Sequence, residues 1–346
     1  MRRRIVLLAT ERYSINALDL YMFFRRSDHE IAALLYHDAC ATHPWWRGEW
    51  PSDPSRDDIL EDVDFRETIG LPWSTVDELL RLLHGLDFDY VAMGNGTDAH
   101  QQPVIEAVGP ERCLFSEYGW LPWSGNFYLT RLGCSVYSDL AELGEDDLRG
   151  RRSDPDVLES LRRSFDHGRR VFGRDFVYMP LQKDVDDFKF TLCDFRSNEE
   201  FIECAHEVVP REMKVLVRCH PLFQRDYRLE RFGRGRFRDV TGRPLNKFQL
   251  YRRMAAMLCI NSTSILEALL FGGTVFAYGK DLYLNKGLVH FDVRTPEEFR
   301  ARLAEPPPRE LCDGFTSLLL ERQVDRRSCV EDGEGYVRNH YWNTAL

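Results

Sequence analysis

The clearest chemistry lies in Asn261-Ser262-Thr263-Ser264, which runs on into Ile265-Leu266-Glu267-Ala268-Leu269 and then Phe271-Gly272-Gly273. A strand-like apolar run ends at Ile260, and small hydroxyl residues then open a helix. A helix start offers unpaired N–H groups and the positive end of the peptide dipole, and hydroxyls add donors, so Ser262, Thr263 and Ser264 suit a phosphate. The plainer reading is a Ser/Thr cap. Glu267, one turn in, reaches a ribose hydroxyl or simply complements the dipole. A second cluster is Arg218-Cys219-His220-Pro221. Pro221 stops a strand and leaves His220 at the sheet edge, where it can donate to a phosphate oxygen while Arg218 supplies charge. A capped, solvent-facing turn is the alternative. A third strand ends in Pro180-Leu181-Gln182-Lys183-Asp184, which sets Gln182 and Lys183 across from the same helix start, or in a charged solvent loop.

Glu117 follows the strand Cys113–Ser116, and Gly119 lets the chain turn sharply after it. Transfer to a hydroxyl needs a base to take its proton, which a carboxylate can be. A two-step path, with the carboxylate attacking an anomeric carbon, is equally open, as is a Glu that caps the next segment. Trp45, Trp46 and Trp50 with Arg47 lie in a Trp- and Pro-rich insertion, roughly 41–72, with no clear period. These aromatic faces suit a sugar acceptor, a membrane interface, or simple packing on the core. Arg12, Asp98 and His100 are further acceptor-side candidates at strand ends, with solvated turns as the default.

The elements that position these residues read as strands alternating with helices. Ile5–Thr10, Glu30–Tyr36, Asp89–Met93 and Cys113–Ser116 are strands, with helices at Tyr13–Phe24, Val76–Leu86 and Val104–Val108. A helix at Ser153–Phe165 begins with good cap chemistry. A second series has strands at Phe176–Leu181, Lys214–Arg218, Met257–Ile260 and Thr274–Tyr278. Its helices are Asn198–Val209, Phe248–Ala256 and Thr263–Leu270, and a terminal helix follows at Glu310–Glu321. Such alternation predicts α/β domains with parallel sheets, whose ligands bind at the carboxyl edge. The expected division is residues 1–155, 156–305, and a helical tail, 306–346, packing back on the first domain.

Composition narrows the class. At 346 residues, with 43% hydrophobic and 29% charged residues, the chain suits two soluble globular domains. A net charge of −10 disfavours nucleic-acid binding, which needs a basic surface. The nine cysteines are scattered and form no CxxC, so they read as small hydrophobes in a reducing cytoplasm. In that compartment the sequon-like Asn261-Ser262-Thr263 carries no meaning. No stretch is long enough to span a bilayer. No metal is implied: Asp184, Asp186 and Asp187 come nearest to a ligand set and read as surface charges.

Taken together, Glu117-Tyr118-Gly119, His220-Pro221 and Ser262-Thr263-Ser264 resemble the E/D-x-G, HP and Ser/Thr-rich motifs of bacterial GT-B glycosyltransferases. The family resembled uses CMP-activated acidic sugars and includes sialyltransferases and Kdo transferases. The runs PLQKD, RCHP and NSTSILEALLFGGTVFAYGKDLY resemble the capsule polysaccharide biosynthesis group in particular, over about 180–283. The resemblance implies a GT-B fold, two Rossmann-like domains with parallel sheets facing a central cleft. It implies phosphate binding by His220, Ser262, Thr263 and Ser264, and a catalytic role for Glu117. Tyr118 departs from the pattern, since many relatives carry a second acid there. The implied activity is metal-independent transfer from a nucleotide sugar, a CMP-sugar such as CMP-Kdo being favoured, to a growing capsule or lipopolysaccharide glycan or glycolipid. No separate cofactor is implied, and the expected place is the cytoplasm, extending to the inner face of the membrane. A nucleotide-sugar epimerase of the same fold and a CDP-alcohol phosphotransferase of teichoic-acid type are the rival readings.

Overall fold

The computed structural model describes residues 2–10, 14–25, 27–42, 70–121, 126–151, 154–165, 176–183, 190–221 and 223–325. Along the chain come β1 (Arg4–Ala9), α1 (Ser14–Arg25), β2 (Glu30–His37), β3 (Gly70–Trp73), α2 (Val76–His84) and β4 (Tyr90–Met93). Then follow α3 (Gln101–Val108), β5 (Cys113–Tyr118), β6 (Asn126–Thr130), α4 (Asp139–Glu142), α5 (Glu145–Leu148) and α6 (Pro155–Ser164). Next are β7 (Phe176–Pro180), α7 (Asn198–Val208), β8 (Lys214–Arg218), β9 (Phe237–Asp239), α8 (Lys247–Tyr251) and β10 (Ala256–Cys259). The last are α9 (Thr263–Leu270), β11 (Val275–Ala277), β12 (His290–Phe291), α10 (Pro296–Leu303), α11 (Arg309–Arg322) and β13 (Gln323–Asp325).

Two sheets result. The first has the order β13-β6-β5-β4-β1-β2-β3, and only β6 runs antiparallel to its neighbours. The second, β12-β11-β10-β7-β8-β9, is parallel throughout. Counted within its own sheet, the second reads 3-2-1-4-5-6, the strand order of a Rossmann fold, and the first reads the same with β13 added as a seventh strand; the order reverses between β1 and β4 or between β7 and β10. The central strands earn that position by being apolar on both faces: Ile5–Ala9 and Ala256–Cys259 are fully buried. Six cysteines (Cys40, Cys113, Cys134, Cys219, Cys259 and Cys312) are buried as free thiols. Burial pushes Cys113 and Cys312 up to about 12, which leaves them unreactive.

The strands absent from the sequence reading are β3, β6, β9, β12 and β13. Four of them form the sheet edges and are only two to four residues long. Such segments are too short to show a period, and short edges limit unwanted pairing.

The chain divides into a first unit, up to Asp139 and again from Glu321, and a second, Leu140–Leu320. The expected boundaries at 155 and 305 differ from this for identifiable reasons. Leu148 is buried, and its carbonyl lies 2.6 Å from where a Cβ on Gly314 would sit. Arg162 reaches the Leu270 carbonyl at 2.9 Å and also pairs with Asp313 on α11. Beyond the second unit, β13 pairs with β6 in the first sheet.

Lys286, fully buried, ties the start of the second unit to its body. Its ammonium donates to the carbonyls of Leu143 (2.6 Å), Leu284 (3.2 Å) and Ala141 (3.4 Å). Burial pushes its pKa down from 10.5 to about 8, against the pull of Asp147. Below about pH 8 both folded and unfolded chains hold the proton, and the burial cost is carried in full. Between about 8 and 10.5 only the unfolded chain holds it, so this group makes stability rise with pH. The full rise is on the order of 3 kcal/mol. Lys286→Met is expected to lose that rise. Denaturant melts of both proteins at about pH 8 and 10.5 measure it, and parallel slopes would refute the account.

Candidate functional site

In the second sheet, Pro180 pairs with Arg218, and on the other side Tyr178 pairs with Met257. That register carries Pro180 level with Cys259, so three adjacent strands end together. Gln182, His220 and Asn261 each stand two residues past that level. With strands about 4.8 Å apart, the three span about 10 Å at the point where the winding reverses.

The Gln182 backbone has left its strand here, and a side-chain amide replaces the strand partner. Asn198, fully buried at the start of α7, accepts from the Gln182 N–H (3.0 Å) and donates to the Gln182 carbonyl (2.7 Å). The Gln182 side chain donates to Asn261 Oδ1 at 3.3 Å. Asn261 is itself fully buried, and Gly279 packs on it so closely that a Cβ there would lie 3.0 Å from the amide. The Tyr283 hydroxyl, 2.6 Å from the Gly279 carbonyl and 3.2 Å from that of Ile260, closes this loop over the end of β10.

Ser262 caps α9, its hydroxyl accepting from the Ser264 N–H at 3.2 Å, which leaves its own proton to donate. Thr263 makes no hydrogen bond to the described residues through either its N–H or its hydroxyl. Ser264 instead meets the buried Tyr251 hydroxyl. Glu267 does not face outward as a ribose ligand would: it is 3% exposed, and its carboxylate takes Lys247 Nζ at 2.6 Å and the Tyr251 hydroxyl at 2.9 Å. Burial, and next the Glu267 charge, push the Tyr251 hydroxyl well above its usual range. Arg218 donates to the Leu245 carbonyl at 2.8 Å and to the Tyr178 hydroxyl, so its charge supports this inner network. His220 opens a tight turn, its carbonyl accepting from the Phe223 N–H at 2.9 Å. Lys183 is half-buried and makes no ion pair with the described residues.

In the first unit, β5 runs on through Glu117 and Tyr118, beyond the expected end at Ser116, because β6 pairs with it as far as Tyr118. Glu117 accepts from Asn95 Nδ2 at 3.1 Å and from the Tyr118 N–H at 3.0 Å. Gly119 serves close approach and not a sharp turn: a Cβ there would lie 2.4 Å from Asn126 Cβ. Asn16 holds the Ser116 carbonyl at 2.9 Å. Gln323 accepts from the N–H groups of Trp120 (3.1 Å) and Leu121 (3.0 Å) and donates to the Leu121 carbonyl (2.6 Å).

Asp98 and His100 pair at 3.2 Å beside His37 and Trp73. Arg12, Trp45 and Trp46, like Arg47, Trp50 and the Asp184–Asp187 acids, lie outside the described residues. The supporting amides Asn16, Asn198, Asn261 and Gln323 escape motif reasoning. For Asn198 a signal exists: it shares a helix face with the buried Phe201, Ile202 and Ala205, and a polar residue on an apolar stripe needs a partner.

Residues 169–324 match the family model described as capsule polysaccharide biosynthesis protein. No curated protein sequence matches the chain. Among solved structures, Thermosulfurimonas dismutans KpsC, described as a beta Kdo 2,7 transferase, is similar at 15% identity and a TM-score of 0.52, over 94% of each chain. The beta Kdo 2,4 transferase of KpsC from the same organism aligns at 13% identity and a TM-score of 0.48, over 91% of this chain and 90% of that one. A glycosyltransferase from Rickettsia africae aligns at 9% identity and a TM-score of 0.42, over 98% of each. At 15% identity the likeness to the beta Kdo 2,7 transferase is one of fold. The chain thus has the two Rossmann-like units of the GT-B fold, and over residues 169–324 it matches the capsule polysaccharide biosynthesis family.

Proposed function

We propose that the chain is a metal-independent glycosyltransferase of capsule polysaccharide biosynthesis, with a nucleotide-sugar donor held by the second unit and Glu117 carrying the transfer. The observation behind this reading is the convergence of Gln182, His220 and the Ser262–Thr263 helix start past one level of three adjacent strands. The donor phosphate meets the Thr263 N–H and hydroxyl, the Ser262 hydroxyl and the His220 ring, with Lys183 adding charge. Ser264 and Arg218 support that surface from within. The donor is a CMP-activated acidic sugar such as CMP-Kdo, and the acceptor is a growing surface glycan or its glycolipid, met at the inner face of the membrane. No helix among the described residues is long and apolar enough to cross a bilayer.

In the reaction the acceptor oxygen bonds to the anomeric carbon, and the bond from that carbon to the phosphate oxygen breaks. The nucleotide leaves with the electron pair. Glu117 takes the acceptor proton in a single displacement, or forms the first sugar bond itself in a two-step path. The Asn95 amide and the Tyr118 N–H hold its carboxylate in place.

Cytidine nucleotides are expected to raise the melting temperature more than UDP or GDP, by mass action. A preference for UDP or GDP in the same thermal-shift panel would remove the CMP-sugar assignment. His220→Ala, and the double change Ser262→Ala with Thr263→Ala, should each weaken CMP binding about tenfold or more with the fold intact. Unchanged calorimetric affinity in both would mean that the phosphate lies elsewhere. Glu117→Gln should retain nucleotide affinity while turnover falls at least about a hundredfold. If Glu117 is only structural, melting temperature falls instead and activity per folded molecule survives. A sugar adduct found by mass spectrometry with donor alone would establish the two-step path.

A further inference from the structure

At the carboxyl edge of the first sheet, three rings meet. His37 ends β2, Trp73 ends β3, and the two are register partners. His100 caps α3 on the loop that leaves β4. Ring centroids lie 4.6 Å apart for His37 and Trp73, 5.2 Å for His37 and His100, and 5.3 Å for Trp73 and His100.

A hydrogen bond at His37 and a charge contact at His100 set which nitrogen of each imidazole carries the hydrogen. Asp98 Oδ1 accepts from the His100 backbone N–H at 2.8 Å and lies 3.2 Å from His100 Nδ1. A negative oxygen so close to Nδ1 favours a hydrogen there over a second lone pair, so Nε2 of the neutral ring keeps a lone pair. His37 is arranged the other way round. Its Nδ1 accepts from the Ala39 N–H at 3.1 Å, which places the hydrogen of the neutral ring on Nε2. One ring therefore offers an acceptor and its neighbour a donor, and neither Nε2 bonds to a described residue. Trp73 adds an indole N–H, 1% exposed as a residue and without an acceptor among the described residues. A buried donor left in that condition costs about 1–3 kcal/mol.

A hydroxyl is the ligand that needs one donor and one acceptor at once. We infer that His37, His100 and Asp98 form a hydroxyl-binding site for a sugar of the acceptor glycan. The His37 Nε2–H donates to the hydroxyl oxygen, the hydroxyl donates to His100 Nε2, and the buried Trp73 ring backs both imidazoles. Asp98 acts as a positioning residue, through the tautomer of His100. The inference rests on the glycosyltransferase reading for the identity of its ligand, and on the His37 hydrogen bond and the Asp98–His100 contact for its donor–acceptor pattern.

The test is ¹⁵N spectroscopy of the full chain labelled at histidine, recorded where the rings are neutral. The expected result is hydrogen on Nε2 of His37 and on Nδ1 of His100. Asp98→Ala removes the negative oxygen beside Nδ1 and should shift the hydrogen of His100 toward Nε2. The opposite tautomer at either wild-type ring, or no change in Asp98→Ala, overturns the inference. In transfer assays with CMP-Kdo and an oligosaccharide primer released from the capsule, His37→Phe and His100→Phe keep the ring packing but lose the nitrogens. Each should raise the KM for primer about tenfold with CMP affinity unchanged. An unchanged primer KM in both variants also overturns it. Absence of any transfer by the wild type refutes the glycosyltransferase reading instead, and the tautomer spectrum still decides the donor–acceptor pattern.

Discussion

The residues assigned a role here sit at or beyond the carboxyl ends of strands, where β-ladders run out. A backbone N–H or carbonyl that leaves a ladder while still buried must find another partner, because leaving it bare costs as much as a lost hydrogen bond or more. Side-chain amides meet that demand in both units. Asn198 takes both backbone groups of Gln182, Gln323 takes three groups of Trp120 and Leu121, and Asn16 holds the Ser116 carbonyl. In the β4–α3 loop, Gln101 accepts from the Gly96 N–H at 2.9 Å and Gln102 donates to the Gly96 carbonyl. An amide offers a donor and an acceptor side by side, as a strand does, so it extends the sheet by one more position without a strand. The side chains next to these points are held where the sheet itself no longer reaches.

The second unit shows how such locks serve a phosphate. The helix start at Ser262 and Thr263 is useful only if α9 keeps its place, and two layers fix it. Outside, Gln182, Asn261 and Tyr283 tie the end of β10 to its neighbours. Beneath, Glu267 anchors the first turn through Lys247 and Tyr251. A carboxylate only 3% exposed is costly to leave without its partners, which makes Glu267 a firm support and a poor ligand.

Much of this was legible in the chain itself. The central strands are continuous apolar runs, and each phosphate motif carries its own strand stop or helix start, so fold class and site location follow from local chemistry. The edge strands β3, β9, β12 and β13 were hidden because two to four residues carry no period. Glu267 misled because its position on α9 fixes only its distance from the helix start. Its direction is set by Lys247 and Tyr251, some twenty residues away in sequence. Gly119 reads as a turn residue by type, but the need for it comes from Asn126 pressing on its α-carbon across the β5–β6 pair. Local pattern identifies what a residue can do, and only the partner brought by the fold decides what it does.

The strand β13 sets an order on assembly. It pairs with β6, and Gln323 at its start holds the two residues that follow the Glu117-Tyr118-Gly119 segment. During synthesis the whole of Leu140–Leu320 is made before residue 323 exists. Until then the outer edge of β6 is open and the backbone after Gly119 lacks its last restraint. Nascent chains fold from the amino end, and open edges invite pairing with other chains. The first unit therefore begins folding first and is completed last. A ribosome stalled inside the second unit would leave Glu117 on an unfinished sheet edge, exposed to association with its neighbours and not yet held for chemistry.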